Sequence, residues 1–337
     1  MEYWVPWGNT EVFFEAPPEL SVTTPNLTPL TDEEILSKVS AIPPDTPYVF
    51  IDYLPPPTVY RTILERLAES AKTAYVSSWR LGLEKVSESI AELDRLEKKP
   101  PLAPIKEFAH ETQNYESMAL IYPVTSRLLL NRVVTSPTEY LAWLFKIHGV
   151  SGYDPSHTSL LPVEISYSID GLVQGIWTPN SWADRKPPVF DSVIVSPGKT
   201  PLDSTFYLAA QSIILSTPAC GDGTTILAVS ECRDGLGPPE FVRQLYETLE
   251  SGLGGEPGLY VNPYRVVAAE LAAALRSYRT YLVTSLPRSL ARLLLGLKTF
   301  ETVQEGLAQL LRLHGRTHRM LLVREGLHTD LSMLATG

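Results

Sequence analysis

The stretch Asp191–Glu240, DSVIVSPGKTPLDSTFYLAAQSIILSTPACGDGTTILAVSECRDGLGPPE, constrains the fold more than any other part of the chain. Ser192–Val195 is a short apolar run ended by Pro197-Gly198, which reads as a buried strand. From about Leu202 to Leu215 apolar residues recur at helical spacing. A second apolar run, Thr225–Val229, then meets a glycine-bearing loop. Strand, helix and strand in this order make the crossover unit of a parallel sheet. Parallel strands share one carboxyl edge, so both loops are expected side by side on that edge.

The earlier part of the chain repeats the alternation. Glu11–Glu15 reads as an opening strand. Thr31-Asp32-Glu33-Glu34 is a capping box that opens a helix to about Ala41. Tyr48–Ile51 is a buried strand with Asp52 at its carboxyl end. Pro55-Pro56-Pro57 forces an extended exit, and Thr58–Ser70 returns as an amphipathic helix. Ala74–Ser77 and Leu83–Leu96 read as the next strand and helix. Lys98–Pro104 is a proline-stiffened spacer, and residues 105–160 read as mostly helical or irregular, with a clear helix at Pro137–Ile147. Asp170-Gly171 marks a hairpin between Val163–Ser168 and Leu172–Trp177. Beyond the organising stretch come helices to about Leu249, from Pro263 to Arg276 and from Thr299 or Thr302 to His314, with strands at Tyr281–Thr284 and Met320–Val323. The fold class is therefore α/β: two domains, 1–185 and 186–337, each a mostly parallel Rossmann-like sheet flanked by helices, with a cleft between them.

Charge and composition exclude several functions. The net charge of −10 gives a nucleic-acid partner no electrostatic support. No stretch of about 18 apolar residues offers a membrane span. The opening MEYWVPWGNTEVFF lacks the basic and apolar regions of a signal peptide. Two cysteines, Cys220 and Cys232, form neither a disulfide framework nor a metal knuckle, so a cytoplasmic location is expected. Twenty-nine prolines beside few Asn, Gln, Met and Cys fit a heat-adapted source.

Two loop motifs carry a resemblance. Pro197-Gly198-Lys199-Thr200-Pro201-Leu202-Asp203 and Glu231-Cys232-Arg233-Asp234-Gly235-Leu236-Gly237, in this order at two strand ends, resemble the C-terminal half of the nickel-pincer lactate racemase family. The hairpin V-E-I-S-Y-S-I-D-G-L-V-Q-G-I-W looks like the family's strand pair before its second domain. The resemblance implies an isomerase that racemises or epimerises a 2-hydroxy acid. A nickel pincer nucleotide would accept hydride from the alpha carbon and return it to either face. Carried over by position, the resemblance makes Asp52 and Gln211 catalytic, Arg132 and Asp203 cofactor-binding, and His148 the nickel ligand.

The chain departs from the family at several of these positions. The D-x-T-R-P-V-P loop reads D-Y-L-P-P-P-T here, so Pro55 replaces the arginine. The G-x-H-R-P strand end reads Ser78-Trp79-Arg80-Leu81-Gly82, without the histidine. The tethering lysine falls on Arg132, whose guanidinium cannot be acylated, so any pincer nucleotide would be held non-covalently. Of the family's glutamine and lysine on the following helix, the first falls on Leu208 and the second on Gln211. Each retained residue also has a plainer role open to it. Asp52 lines the crevice of an open sheet or caps the helix near Thr58. His148 is a neutral imidazole ligand or a cation at a helix end. Arg132 contacts a phosphate or a surface carboxylate. Arg233 and Asp234 pair locally or touch a ligand. His110, His157, His314, His318 and His328 show no metal-ligand spacing. Two functions follow: a divergent racemase, or a catalytically degenerate homologue acting as a binding or partner subunit.

Overall fold

The computed structural model describes residues 1–25, 28–40, 43, 46–68, 71–108, 117–130, 132–150, 159–168, 170–177, 179, 186–251 and 262–336. The chain divides into two compact units. The middle unit holds residues 27–183 and 261–263, and the terminal unit holds residues 1–26, 184–260 and 264–337. The later division falls between residues 183 and 184. The first 26 residues, read above as part of the N-terminal domain, belong with the C-terminal part of the chain. Pairing explains this: β3 (Ser21–Thr23) lies parallel to the last strand, β14 (Arg319–Val323).

The middle unit is built on a six-stranded sheet in the order β6-β5-β4-β7-β8-β9. Its strands are β4 (Tyr48–Asp52), β5 (Thr73–Ser77), β6 (Leu102–Pro104), β7 (Ser117–Pro123), β8 (Ser159–Tyr167) and β9 (Val173–Trp177). All adjacent pairs are parallel except β8 and β9, the hairpin that Asp170-Gly171 announces. Helices α1 (Asp32–Val39), α2 (Arg61–Leu67) and α3 (Val86–Leu93) lie within the first half of this unit. The Thr31–Glu34 capping box is present at the start of α1.

Residues 105–160 depart from expectation. They contain β7, which lies inside the sheet between β4 and β8. Met118–Tyr122 are all fully buried, as a strand covered on both faces requires. Such a short apolar run has no periodicity to separate strand from buried helix. Two short helices follow, α4 (Val124–Leu130) and α5 (Pro137–Ile147). Within the expected spacer, Leu102–Pro104 forms β6, an edge strand where proline is tolerated.

The terminal unit has a second six-stranded sheet, ordered β13-β12-β11-β10-β14-β3 and parallel throughout. Its strands include β10 (Phe190–Val195), β11 (Cys220–Val229), β12 (Arg279–Val283) and β13 (Lys298–Phe300). Helix α6 (Phe206–Ser216) joins β10 to β11, and every one of its residues is buried. It starts after the Pro201 turn rather than at Leu202. Helices α7 (Pro239–Ser251), α8 (Pro263–Ser277), α9 (Arg288–Leu295) and α10 (Val303–His314) complete the unit. A separate hairpin, β1 (Glu2–Trp7) and β2 (Thr10–Glu15), turns through Gly8-Asn9. Gly8 has φ +57°, and positive φ at the first central residue suits a two-residue hairpin turn. Among the described residues no helix is long and apolar enough to cross a membrane.

Candidate functional site

In the middle sheet the chain runs outward from β4 through β5 to β6, then returns to lay β7 and β8 on the other side. The carboxyl ends of β4 and β7 therefore flank the point where strand order reverses, the usual place for a ligand crevice in an open α/β sheet. Asp52 ends β4 there and is fully buried. Its Oδ2 accepts a 2.6 Å hydrogen bond from the Tyr140 hydroxyl, and its Oδ1 has no hydrogen-bond partner. Tyr140 comes from α5, whose first turn is set by the Ser136 cap and Pro137. The Trp79 indole donates to the Tyr140 hydroxyl at 3.2 Å. Arg80, fully buried after β5, donates to Thr125 at 2.6 Å and Ser126 at 3.4 Å, just past β7. Burial pushes the Asp52 carboxyl up to about 6, against the pull of the Ser126 and Tyr140 hydroxyls and the Arg80 charge.

A second shell of buried polar groups holds this edge together. Arg127 Nε donates to Glu164 Oε1 at 2.6 Å, with both side chains less than a tenth exposed. The Tyr167 hydroxyl donates to the Leu54 carbonyl at 2.7 Å, and the Leu54 amide donates to the Tyr60 hydroxyl at 3.1 Å. These phenols pin the Asp52–Thr58 loop. No side chain caps the short helix that follows the loop, so Asp52 does not serve as a cap. His148 is the residue that ends α5, and its Nε2 lies 2.8 Å from Ser77 Oγ at the end of β5. Burial, with Lys106 nearby, lowers its pKa to about 4, so the ring is neutral at pH 7 and is no helix-end cation.

The other expected site residues lie elsewhere. Arg132 is exposed in the turn after α4. Gln211 and Asp203 are fully buried in the terminal unit. Asp203 is committed to the fold: its Oδ2 accepts the Gly8 amide and its Oδ1 the Thr200 hydroxyl. Pro6 and Gly8 also accept from Ser196 and Thr200. The β1–β2 turn is thus docked on the loop after β10, where this sheet's own strand order reverses. Asp203→Ala is expected to cost about 1–3 kcal/mol, since it strands a buried amide. Faster hydrogen exchange at Gly8 and Thr200, with the middle unit unchanged, is the check.

Among the described residues no three His, Cys, Asp or Glu side chains gather as a metal site. His314 and His318, four residues apart at the end of α10 and after it, come together with ring centroids 5.3 Å apart. Their Nε2 atoms are engaged by Thr225 and Ser192. His110 and His157 lie outside the described residues. Arg233 and Asp234 form an exposed pair at 3.8 Å. Burial holds the Cys220 and Cys232 thiols at about 12 and about 11, far from reactive thiolates.

Sequence reasoning missed Trp79, Arg80, Thr125, Ser126, Arg127, Tyr140 and Glu164 as members of this edge. The signal available was Arg80, a charged residue just past the carboxyl end of β5. Thr125 and Ser126 could not be placed without β7.

No protein-family model matches the sequence, and no curated protein does. Solved structures do match, and one identifies the architecture. The chain shares its fold with a lactate racemase. The lactate racemase apoprotein from Thermoanaerobacterium thermosaccharolyticum superposes with a TM-score of 0.63 at 13% identity, over 98% of this chain and 99% of that one.

The lactate racemase likeness makes the pincer cofactor worth testing against the residues present, and they do not fit it. The tethering position is an exposed guanidinium at Arg132. The imidazole at the expected position, His148, belongs to no group of three His, Cys, Asp or Glu gathered as a metal site among the described residues. Asp203 spends both carboxylate oxygens on the hairpin turn and its own loop.

Proposed function

We propose that this lactate-racemase-like protein does not perform the racemase reaction and acts as a binding or partner subunit. The observation that carries the reading is Trp79. With Arg80 it fills the strand end where the family's motif has its histidine, and neither supplies an imidazole: both are fully buried, and Trp79 is bonded to Tyr140. An indole N–H donates a hydrogen bond but does not exchange a proton near neutral pH. Arg80 donates to Thr125 and Ser126, and Tyr140 donates to Asp52, so much of the buried polar chemistry at this edge is already used within the protein.

The test is turnover. The chain is produced with nickel and with the enzymes that assemble the pincer nucleotide, then assayed for interconversion of the two hands of lactate and other short 2-hydroxy acids. No nickel retained and no interconversion above the protein-free rate are expected. Turnover of any 2-hydroxy acid overturns the reading.

One observation favours the other function, a divergent 2-hydroxy-acid racemase or epimerase. Asp52 keeps an unpartnered Oδ1 and a pKa close to neutrality, the properties of a group that moves protons. In that case Asp52→Asn abolishes a turnover that the parent chain displays.

A further inference from the structure

The terminal unit contains a cavity of about 610 Å³ beside β2 and the start of α10, unused by the site above. Trp7, Phe13, Val283 and Val303 give it apolar walls. The ionisable groups that line it are Glu11, Glu15 and Glu301, with no lysine or arginine among them. The first turn of α10 is capped internally, because Thr302 accepts the Glu305 amide and the Glu305 carboxylate accepts the Glu301 amide. That helix end therefore makes no call on an anion.

One wall is an open strand edge. Among the described residues β2 pairs with β1 and with no other strand. The Glu15 amide donates to Gln304 Oε1 at 2.8 Å, and Gln304 Nε2 donates back to the Glu15 carbonyl at 3.4 Å. A side-chain amide from α10 thus takes the place of a neighbouring strand at one residue. Backbone groups of an antiparallel strand alternate sides with period two, so those of Phe13 and Glu11 face the same way as those of Glu15. They have no hydrogen-bond partner among the described residues. An unpaired edge beside an apolar cavity is the arrangement by which a sheet takes up an added strand.

The outer face of the hairpin indicates what that strand carries. Trp4 and Phe13 lie tilted against each other with ring centroids 5.2 Å apart and remain 45% and 50% exposed. Glu2 lies directly opposite Glu15, a like-charge cross-strand pair that is unfavourable by itself. Glu11 is paired with Arg324 and Glu301 with Arg288, while Glu15 has no ion pair among the described residues. A basic side chain on an incoming strand would meet Glu2 and Glu15 and lie over the exposed rings.

We infer that the free edge of β2 is a docking site for an extended peptide segment of a partner protein, with basic side chains alternating with apolar ones. The segment pairs with the backbone of Glu11 and Phe13 and places an apolar side chain in the cavity. This names a partner chemistry for the partner-subunit reading and rests on that reading for its meaning. The two fail separately, since hydroxy-acid turnover leaves peptide binding untouched.

The experiment titrates the full chain with capped alternating peptides, one of lysine and valine and one of lysine and phenylalanine, by calorimetry. Binding at about 100 μM or tighter is expected for at least one. N-methylation of its ladder-forming amides, or exchange of its lysines for glutamates, weakens binding about tenfold or more. Glu15→Gln weakens it by roughly threefold and lowers the salt dependence. The proposal is overturned if neither peptide binds, if N-methylation changes nothing, or if butylammonium binds as tightly as the peptide. The last outcome would mark a small-cation pocket instead.

Discussion

Arg127→Ala is expected to remove about 3–5 kcal/mol of folding stability, the largest single-residue loss in the middle unit. The reason is the environment of the pair rather than its attraction. Glu164 is only 7% exposed along its side chain, and its carboxylate meets the guanidinium at 2.6 Å. Taking the cation away leaves a buried negative charge, which costs more than the pair contributed. Glu164→Ala is expected to do similar damage from the other side. The double variant Arg127→Met, Glu164→Leu recovers most of the loss, because neither charge is then stranded. Urea unfolding of the four proteins reads this directly. A loss below about 1 kcal/mol in the single variants would mean that water reaches the pair in solution.

The second large effect is a hidden pH dependence. Asp52 has its pKa raised from 3.8 to about 6, so the folded state binds its proton more tightly than the unfolded chain. The stability it contributes is present at low pH and is lost as pH rises through about 6. His148 has its pKa lowered from 6.5 to about 4, so its contribution runs the other way, present above 6.5 and lost as pH falls through 4. Each shift is worth roughly 3 kcal/mol. The two slopes oppose each other over nearly the same interval. Relative to the parent chain, Asp52→Asn is expected to make stability rise more steeply with pH between about 4 and 6.5, the interval of the His148 shift. His148→Gln is expected to make it fall over the interval of the Asp52 shift. Denaturation midpoints across that range measure both. Parallel profiles for all three proteins would show that neither group titrates as the buried geometry requires.

Much of the fold was legible because its signals are local. The capping box at Thr31, the Asp170-Gly171 turn and the strand–helix–strand run through Asp191–Glu240 each depend on a few adjacent residues. β7 was not legible, because an apolar run without periodicity reads equally as strand or buried helix. The candidate site was lost with it. Thr125 and Ser126 acquire meaning only when β7 lays them beside Arg80, forty-five residues away in sequence for the Arg80–Thr125 bond. Asp52 was visible as a strand-end carboxylate, yet its burial depends on Tyr140, eighty-eight residues later. Asp203 shows the same limit from the other side. Its motif was read as a ligand loop, while its partner is Gly8, a residue from the far end of the chain. Side-chain identity fixes what a group can do; only long-range pairing decides whether it is free to do it.

The terminal unit draws on stretches of chain on both sides of the middle unit, and this sets the order in which its sheet can be made. β14 separates β10 from β3 in the finished sheet. β3 leaves the ribosome about three hundred residues before the strand that receives it. The middle unit is nearly continuous in sequence and can close while synthesis is still under way. β3 must wait unpaired through that time beside the self-paired hairpin, so the nascent chain carries Trp4, Phe13 and a bare strand edge until β14 is made. Chaperone demand is therefore expected to persist until β14 emerges, and a chain released before β14 would leave one half assembled and the other without its seam.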